Sequence, residues 1–396
     1  MSPVERVGRS AEPSLAGARV AVVNWRDLEH TRAGGAEVYA WEFAKALTEA
    51  GATVEFLTAR DKGQTRRARV EGIAVRRGGG AYTYYLWVAV ALLRSRRRLD
   101  AVVDVENGIP QLAPLLLRRS TALVLVVFHV HLDQFALYFP APVAALGRFL
   151  EGRVMPRVYR RARAVTISRS SREEMVERLH WPTEVSILEV GNAVSVVPGA
   201  VPGPETADRL LVLGRLVPHK RVDEVLRAFR QLLDRRPGLQ LDITGRGPAE
   251  EDLRRVIAEL GLGDRVTLHG YVTDDQMKAL IGRARLHVCA SDAEGFGIVV
   301  VEAAAYGVPT VARLVPGLRE SIVDQRTGWL LPDDGRPVAE QLAAGIGTAL
   351  DVLDDDVRRG ELARECREWS ERFSWARMRT EAREIVVREL AGQRRS

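Results

Sequence analysis

The sequence predicts an α/β protein in which two Rossmann-like, doubly wound domains face each other across a cleft. Three observations carry that prediction. Short β-branched runs alternate with amphipathic helical segments, and they do so twice, the pattern of parallel sheets covered by helices. Between the two series lies GNAVSVVPGAVPGPETADR, dense in Pro and Gly and without periodicity, which reads as an interdomain linker. The length of 396 residues exceeds what one hydrophobic core usually supports.

In chain order, the first series places strands at Arg19 to Val23, Thr53 to Leu57, Ala101 to Asp104, Thr121 to Val127 and Ala164 to Ile167. The second places them at Leu210 to Leu213, Leu239 to Thr244, Arg265 to Leu268, Leu286 to Cys289 and Pro309 to Ala312. The chain therefore divides into a first domain over residues 1–190, a linker over 191–208, a second domain over 209–372 and a terminal segment over 373–396. That last segment has helical character, with Trp375, Met378, Ile385 and Val386 apolar, and the architecture suggests that it packs back on the first domain.

Composition narrows the partners. A hydrophobic share of 46% and a charged share of 28% are those of a globular protein. The longest apolar stretch, Tyr82 to Leu93, falls short of the roughly 18 residues a membrane span needs. The amino terminus, MSPVERVGRSAEPSLAG, carries charge where a signal peptide needs an apolar core, so a cytoplasmic location is expected. Cys289 and Cys366 are the only cysteines, which excludes a disulfide framework and a multi-cysteine zinc site. The net charge of +6 is spread as Arg among Asp and Glu, a solvated exterior, and no nucleic-acid partner is expected. YYLWVAVALLRSRRR could lie on an anionic membrane, but reads more simply as a buried helix whose terminal arginines complement its dipole.

In doubly wound sheets ligands bind outside the carboxyl ends of the strands, so chemistry is sought in the loops that follow them. The strongest signal is DAEGFGIVVVEAAAYGVP, after the strand ending near Cys289. Within one helix, Glu294 and Glu302 would be separated by roughly 12 Å and could not share a ligand group. A loop carrying Glu294 and a helix starting near Gly297 puts one carboxylate over the helix mouth and the other in the cleft. Gly295 and Gly297 would let the backbone N–H groups of Phe296, Gly297 and Ile298 approach an anion. The apolar run around Glu302 leaves its carboxylate in need of a partner such as ribose hydroxyls.

The segment LVLGRLVPHKRVDEVLRAF is a further strand, loop and helix, with Gly214 and Arg215 past the strand and Lys220 at the mouth of the helix. Lys45, Lys62, Lys220 and Lys278 are the only lysines in an Arg-rich chain, and a cation at a positive helix end is best explained by an anionic ligand. Together these segments resemble the donor site of the large retaining family four of glycosyltransferases, the glycosyl transferases group 1, whose fold is termed GT-B.

The resemblance implies that Arg215 and Lys220 bind the diphosphate of a nucleotide-sugar donor, that Glu302 binds the ribose and that Glu294 lies beside the transferred sugar. ITGRGPAEEDL, with Gly245 and Gly247, is similar to the family's nucleotide-side turn, and HGYVTDDQ, around Tyr271 and Val272, to the segment lining the base. Gly34 and Gly35, in NWRDLEHTRAGGAEVYAWEFAKAL, are similar to the family's first loop, which closes over the donor phosphate. His131 is expected near the reacting centre, with His129 as the fallback, and Glu106 and Asn107 face a hydroxyl- or amine-bearing acceptor.

No D-x-D arrangement stands beside the donor site to grip a divalent metal, and no cofactor is expected beyond the nucleotide sugar itself. The family implies retention of anomeric configuration. An NAD(P)-dependent oxidoreductase would share the architecture, but would need G-x-G-x-x-G in a tight first turn, and the turn after Val23 is long and lacks it. A non-catalytic sugar-nucleotide binder, or a membrane-associated protein, is the other alternative.

Overall fold

The computed structural model describes residues 14–80, 83–106, 108–191 and 208–393. Its first sheet has strands β1 (Arg19–Val23), β2 (Thr53–Thr58), β3 (Arg67–Val70), β4 (Ile73–Arg77), β5 (Ala101–Glu106), β6 (Ala122–Val127), β7 (Arg163–Thr166) and β8 (Val185–Ile187). They lie in the order β3-β4-β2-β1-β5-β6-β7-β8, parallel throughout except for the antiparallel pair β3 and β4. The second sheet has β9 (Arg209–Val212), β10 (Gln240–Thr244), β11 (Val266–Gly270), β12 (Leu286–Cys289), β13 (Thr310–Arg313) and β14 (Gly328–Leu331). Its order is β11-β10-β9-β12-β13-β14 and every pair is parallel.

Successive residues of a strand point to opposite faces, and here both faces are apolar. Val20 and Val22 enter one core of the first sheet with Phe56, Val103 and Val124, while Ala21 and Val23 enter the other with Leu57, Val102 and Leu125. In the second sheet Leu210 and Val212 pack beneath the helices Val222–Leu232 and Val338–Leu353. Leu211 and Leu213 pack beneath Ala303 and Ala305 on the opposite face. Helices on both faces are what makes uninterrupted apolar strands stable in water.

Four strands lie outside those the sequence predicts. β3 and β4 form a hairpin whose two-residue turn is Glu71 (φ 44) and Gly72 (φ 84), a left-handed pair suited to a tight hairpin but with a Glu where Asn or Gly would announce it. β8 has three residues and β14 four, too short for a period to show. Of the expected linker, residues 192–207 lie outside the described residues.

The helix Trp375–Gln393 packs on the helix Gly35–Glu49. Trp375, Met378, Ala382 and Val386 are buried in the same core as Val20 and Phe56, and each large side chain so buried contributes about 1.5–3 kcal/mol. Tyr39 bridges the two helices edge-on to Trp375 at 6.2 Å and donates its hydroxyl to the Leu188 carbonyl at 2.9 Å. Phe296 and Val301 enter this first-sheet core as well, although they follow β12 of the second sheet. The helix Tyr84–Ser95 buries Tyr84, Val88, Ala91 and Leu92 and leaves Leu86 outward. No helix among the described residues is long and apolar enough to cross a membrane. Cys289 and Cys366 are free and buried.

Candidate active site

In the first sheet β1 stands between β2 and β5, and in the second β9 stands between β10 and β12. Chain connections diverge on either side of such strands and leave a crevice at their carboxyl ends. The loops after β1, β9 and β12 meet there.

The loop after β1 is held from beneath. Asp27 forms a buried ion pair with Arg77, Arg77 reaches Glu29 at 2.5 Å, and Thr31 donates its backbone N–H to Asp61 at 3.0 Å. The loop ends at Gly34, whose N–H donates to Oε2 of Glu37 at 2.7 Å. Glu37 is buried, and burial raises its carboxyl above the ordinary range although Arg26 opposes this. This bond sets the Gly34–Gly35 peptide against the second sheet: a Cβ on Gly34 would lie 3.6 Å from Nε of Arg215, and one on Gly35 would lie 2.8 Å from Cδ1 of Ile298.

On the opposite wall, Arg215 is exposed just past Gly214. Lys220 closes the single turn Pro218–Lys220, one residue short of Arg221, which caps the following helix with φ 50. Its Nζ donates to Oε1 of Glu294, which also accepts from Oγ of Ser291 at 2.8 Å. Burial works against both charges, but their mutual attraction outweighs it, so Lys220 is raised and Glu294 lowered from their ordinary values. The sequence gives these two residues separate tasks, and the structure joins them in one ion pair. The positive charge of Arg215 reaches Lys220 and opposes it, as neighbouring like charges do.

The helix Ile298–Ala305 begins from Gly297 in the left-handed region, φ 86. Glu302, half-buried on its second turn, accepts no hydrogen bond among the described residues. Burial, and then the charge of Asp274, push its carboxyl up to about 7.

Gly245 and Gly247 have a structural reason of their own: a Cβ would come within 1.9 Å of the Gly214 carbonyl oxygen at the first and 2.0 Å of the Leu216 carbonyl oxygen at the second. The loops after β9 and β10 pack backbone to backbone there. Tyr271 is 70% exposed, with the Arg246 guanidinium 5.8 Å from its ring, and Val272 packs partly buried on the core under Ala303.

The histidines require a correction. The chain leaves β6 at Val127, so His129 and His131 belong to a loop and the alternation of a strand does not sort them. Their rings lie 4.1 Å apart. His129 is the one that faces the second sheet, its Nδ1 3.5 Å from where a Gly295 Cβ would stand. His131 instead turns to carboxylates, 3.2 Å from Glu151 and 3.7 Å from Glu106. Both imidazoles are neutral at pH 7: burial and the neighbouring His131 push His129 down to about 3, and burial pushes His131 down to about 4. Glu106 is buried, with Oε1 accepting the Gly108 N–H at 2.6 Å. Asn107 lies outside the described residues.

Other residues at the crevice are ones that sequence reasoning passes over. His219 lies among Lys220, Glu294, Arg215 and His129, and burial pushes it down to about 4. Glu320 reaches across from the second sheet to accept the N–H groups of Arg169 at 2.8 Å and Ser170 at 2.6 Å, capping a helix of the first. Gly295, which the sequence does single out, fits against the first sheet only without a side chain, since a Cβ would come 2.9 Å from the Phe128 carbonyl oxygen.

With this geometry in place, residues 200–368 match the sequence family described as Glycosyl transferases group 1, and residues 34–191 match the Glycosyl transferase 4-like domain. The chain belongs to the group 1 glycosyltransferases. A curated relative, the putative colanic acid biosynthesis glycosyltransferase WcaL of Escherichia coli K12, is 31% identical over 169 residues, 41% of this chain and 42% of that protein. The chain spans less than half the length of the curated relatives it matches. Among solved structures, the sucrose-phosphate synthase of Thermosynechococcus elongatus superposes with a TM-score of 0.79 at 19% identity, covering 95% of this chain and 100% of that one. HepE of Anabaena, solved with UDP-glucose, gives 0.70 at 18% identity, covering 93% and 98%. Both are GT-B proteins, and at these identities the likeness establishes that fold.

Proposed function

We propose that the chain is a retaining glycosyltransferase that moves a sugar from a nucleotide diphosphate sugar to a hydroxyl- or amine-bearing acceptor, without a metal at the diphosphate. The observation that carries this reading is the convergence of Arg215 and the Glu294-anchored Lys220 beside the first turn of helix Ile298–Ala305, opposite Gly34 and Gly35. Breaking the sugar–phosphate bond builds negative charge on the bridging oxygen. Two cations fixed before the substrate arrives stabilise that charge without reorganisation, and the glycines let the backbone approach it.

Glu302 then serves the ribose hydroxyls, since an otherwise unpartnered carboxylate gains hydrogen bonds on binding. Tyr271 and Val272 line the base, beyond the turn at Gly245 and Gly247, and Glu294 both orients Lys220 and borders the transferred sugar. His129 stands at the reacting centre. The structure of HepE with UDP-glucose supports a nucleotide-sugar donor, and WcaL, named for colanic acid biosynthesis, supports an acceptor from cell-envelope glycan synthesis. We place the reaction in the cytoplasm, with a small-molecule, lipid or saccharide acceptor and no organic cofactor.

The test is a screen of nucleotide sugars for acceptor-independent hydrolysis by mass spectrometry, which should single out one donor class. Saturable binding of NAD(P)H in place of any sugar nucleotide would overturn the reading in favour of an oxidoreductase. Lys220→Ala and Glu302→Ala should each lower turnover at least about 100-fold with unchanged circular dichroism, and near-normal turnover in both would overturn the site.

A further inference from the structure

Three side chains of the first sheet gather into a pocket that the proposed transfer does not use. Glu106 ends β5, His131 follows β6, and Glu151 lies in the π-helical turn Leu150–Val154. One potential ligand atom from each lies within 4.8 Å of the other two. Side-chain exposure is 1% for Glu106, 0% for Glu151 and 12% for His131, so solvent reaches the group only past the imidazole.

Each carboxylate spends one oxygen on a backbone N–H, Glu106 on Gly108 and Glu151 on His131, both at 2.6 Å. The other oxygen, Oε2 in each, accepts no hydrogen bond among the described residues. The cation whose charge reaches Glu151, Arg178, is itself bonded to Asp133 at 2.8 Å. Buried carboxylates of this kind are found paired or bound to metals.

We infer that Glu106, His131 and Glu151 form a binding site for one divalent transition-metal cation. Two carboxylates balance its charge and Nδ1 of a neutral imidazole supplies the borderline donor that such ions take. Metal–ligand bonds of about 2.0–2.2 Å place the ligand atoms of a tetrahedral ion about 3.3–3.6 Å apart; Nδ1 of His131 is 3.7 Å from the free Oε2 of Glu106, close to that spacing, and 3.2 Å from Oε1 of the Glu151 carboxylate. All three ligands stand on the first sheet and its connections, so the site is distinct from any diphosphate-bound metal. Its ion would fix the loop that holds the His129 ring 4.1 Å from His131.

The experiment titrates the full chain, freed of metal by a chelator and dialysed, with Zn2+ by calorimetry and with Co2+ by visible absorption. It reads binding rather than transfer, so it is independent of the glycosyltransferase reading. The expected result is one ion per chain, a raised melting temperature and a cobalt spectrum without a thiolate band. Glu106→Gln and Glu151→Gln should each weaken binding at least about tenfold with unchanged circular dichroism. An absence of saturable uptake by the folded wild type, a thiolate band that puts the ion on a cysteine, or equal affinity in the folded variants would each overturn the inference.

Discussion

At the scale of the residue, the Lys220–Glu294 pair governs what the proposed donor site can do. The pair orients Lys220 before any ligand arrives, while the charge of Arg215 reaches the Glu37 carboxylate across the crevice. Glu294 is held below its ordinary value of 4.5 and Lys220 above 10.5, so their mutual stabilisation is complete between those limits. It fades as Glu294 takes up its proton in acid. Glu294→Gln should therefore cost about 3 kcal/mol of unfolding free energy at neutral pH, and its deficit relative to the wild type should shrink steadily below pH about 4.5, as read by urea denaturation across that range. Glu302 has the opposite sign. Its carboxyl is raised to about 7, so folding binds its proton more tightly and the wild type should lose stability between pH about 4.5 and 7, a slope that Glu302→Gln removes.

At the scale of the element, glycine positions show which parts of the site are fixed by chain packing and which by space left for a ligand. Gly247→Ala would force a Cβ against a carbonyl oxygen at 2.0 Å and should destabilise the second sheet by more than about 2 kcal/mol, seen as a lowered melting temperature. Gly35→Ala meets only the end of the flexible Ile298 side chain. It should leave the melting temperature nearly unchanged and act on donor affinity instead. The strand, loop and helix that carry Arg215, and those that carry Glu294 and Glu302, are legible in the sequence because β-branched runs end at glycine-rich turns. The His129–His131 order is not, because a rule of alternation stops where the strand does. The partnership of Lys220 with Glu294 is also illegible, since it joins loops after β9 and β12 that come together only when those strands pair. Glu151 is hidden for a related reason: within FLEGRV it reads as an ordinary surface carboxylate, and only the fold brings it under His131.

At the scale of the whole molecule, two kinds of contact join the sheets at the crevice. One is polar: the Glu320 carboxylate caps the helix Arg169–Arg178, with Ser170 Oγ also donating to the Pro316 carbonyl at 2.8 Å. A negative charge at a helix amino terminus is favourable by a few tenths to about 1 kcal/mol, and its bonds to orphan N–H groups add to that. Glu320→Ala should widen the crevice, giving a larger radius of gyration by small-angle scattering and a higher KM for the donor with little change in melting temperature. The other contact is apolar, with Phe296 edge-on to Phe373 at 5.1 Å. The two-sheet architecture follows from alternation alone, yet the sequence does not reveal that Phe296 belongs to the opposite core, because burial looks the same in either sheet.

The helix Trp375–Gln393 gives the order of synthesis a physical meaning. A ribosome delivers all eight strands of the first sheet, and then the entire second sheet, before Trp375, Met378 and Val386 emerge to pack on the helix Gly35–Glu49 and over β6. Through that interval the nascent first sheet carries an uncovered apolar face, a surface for chaperones to hold and for neighbouring chains to stick to. Its folding is finished only after its companion has been made.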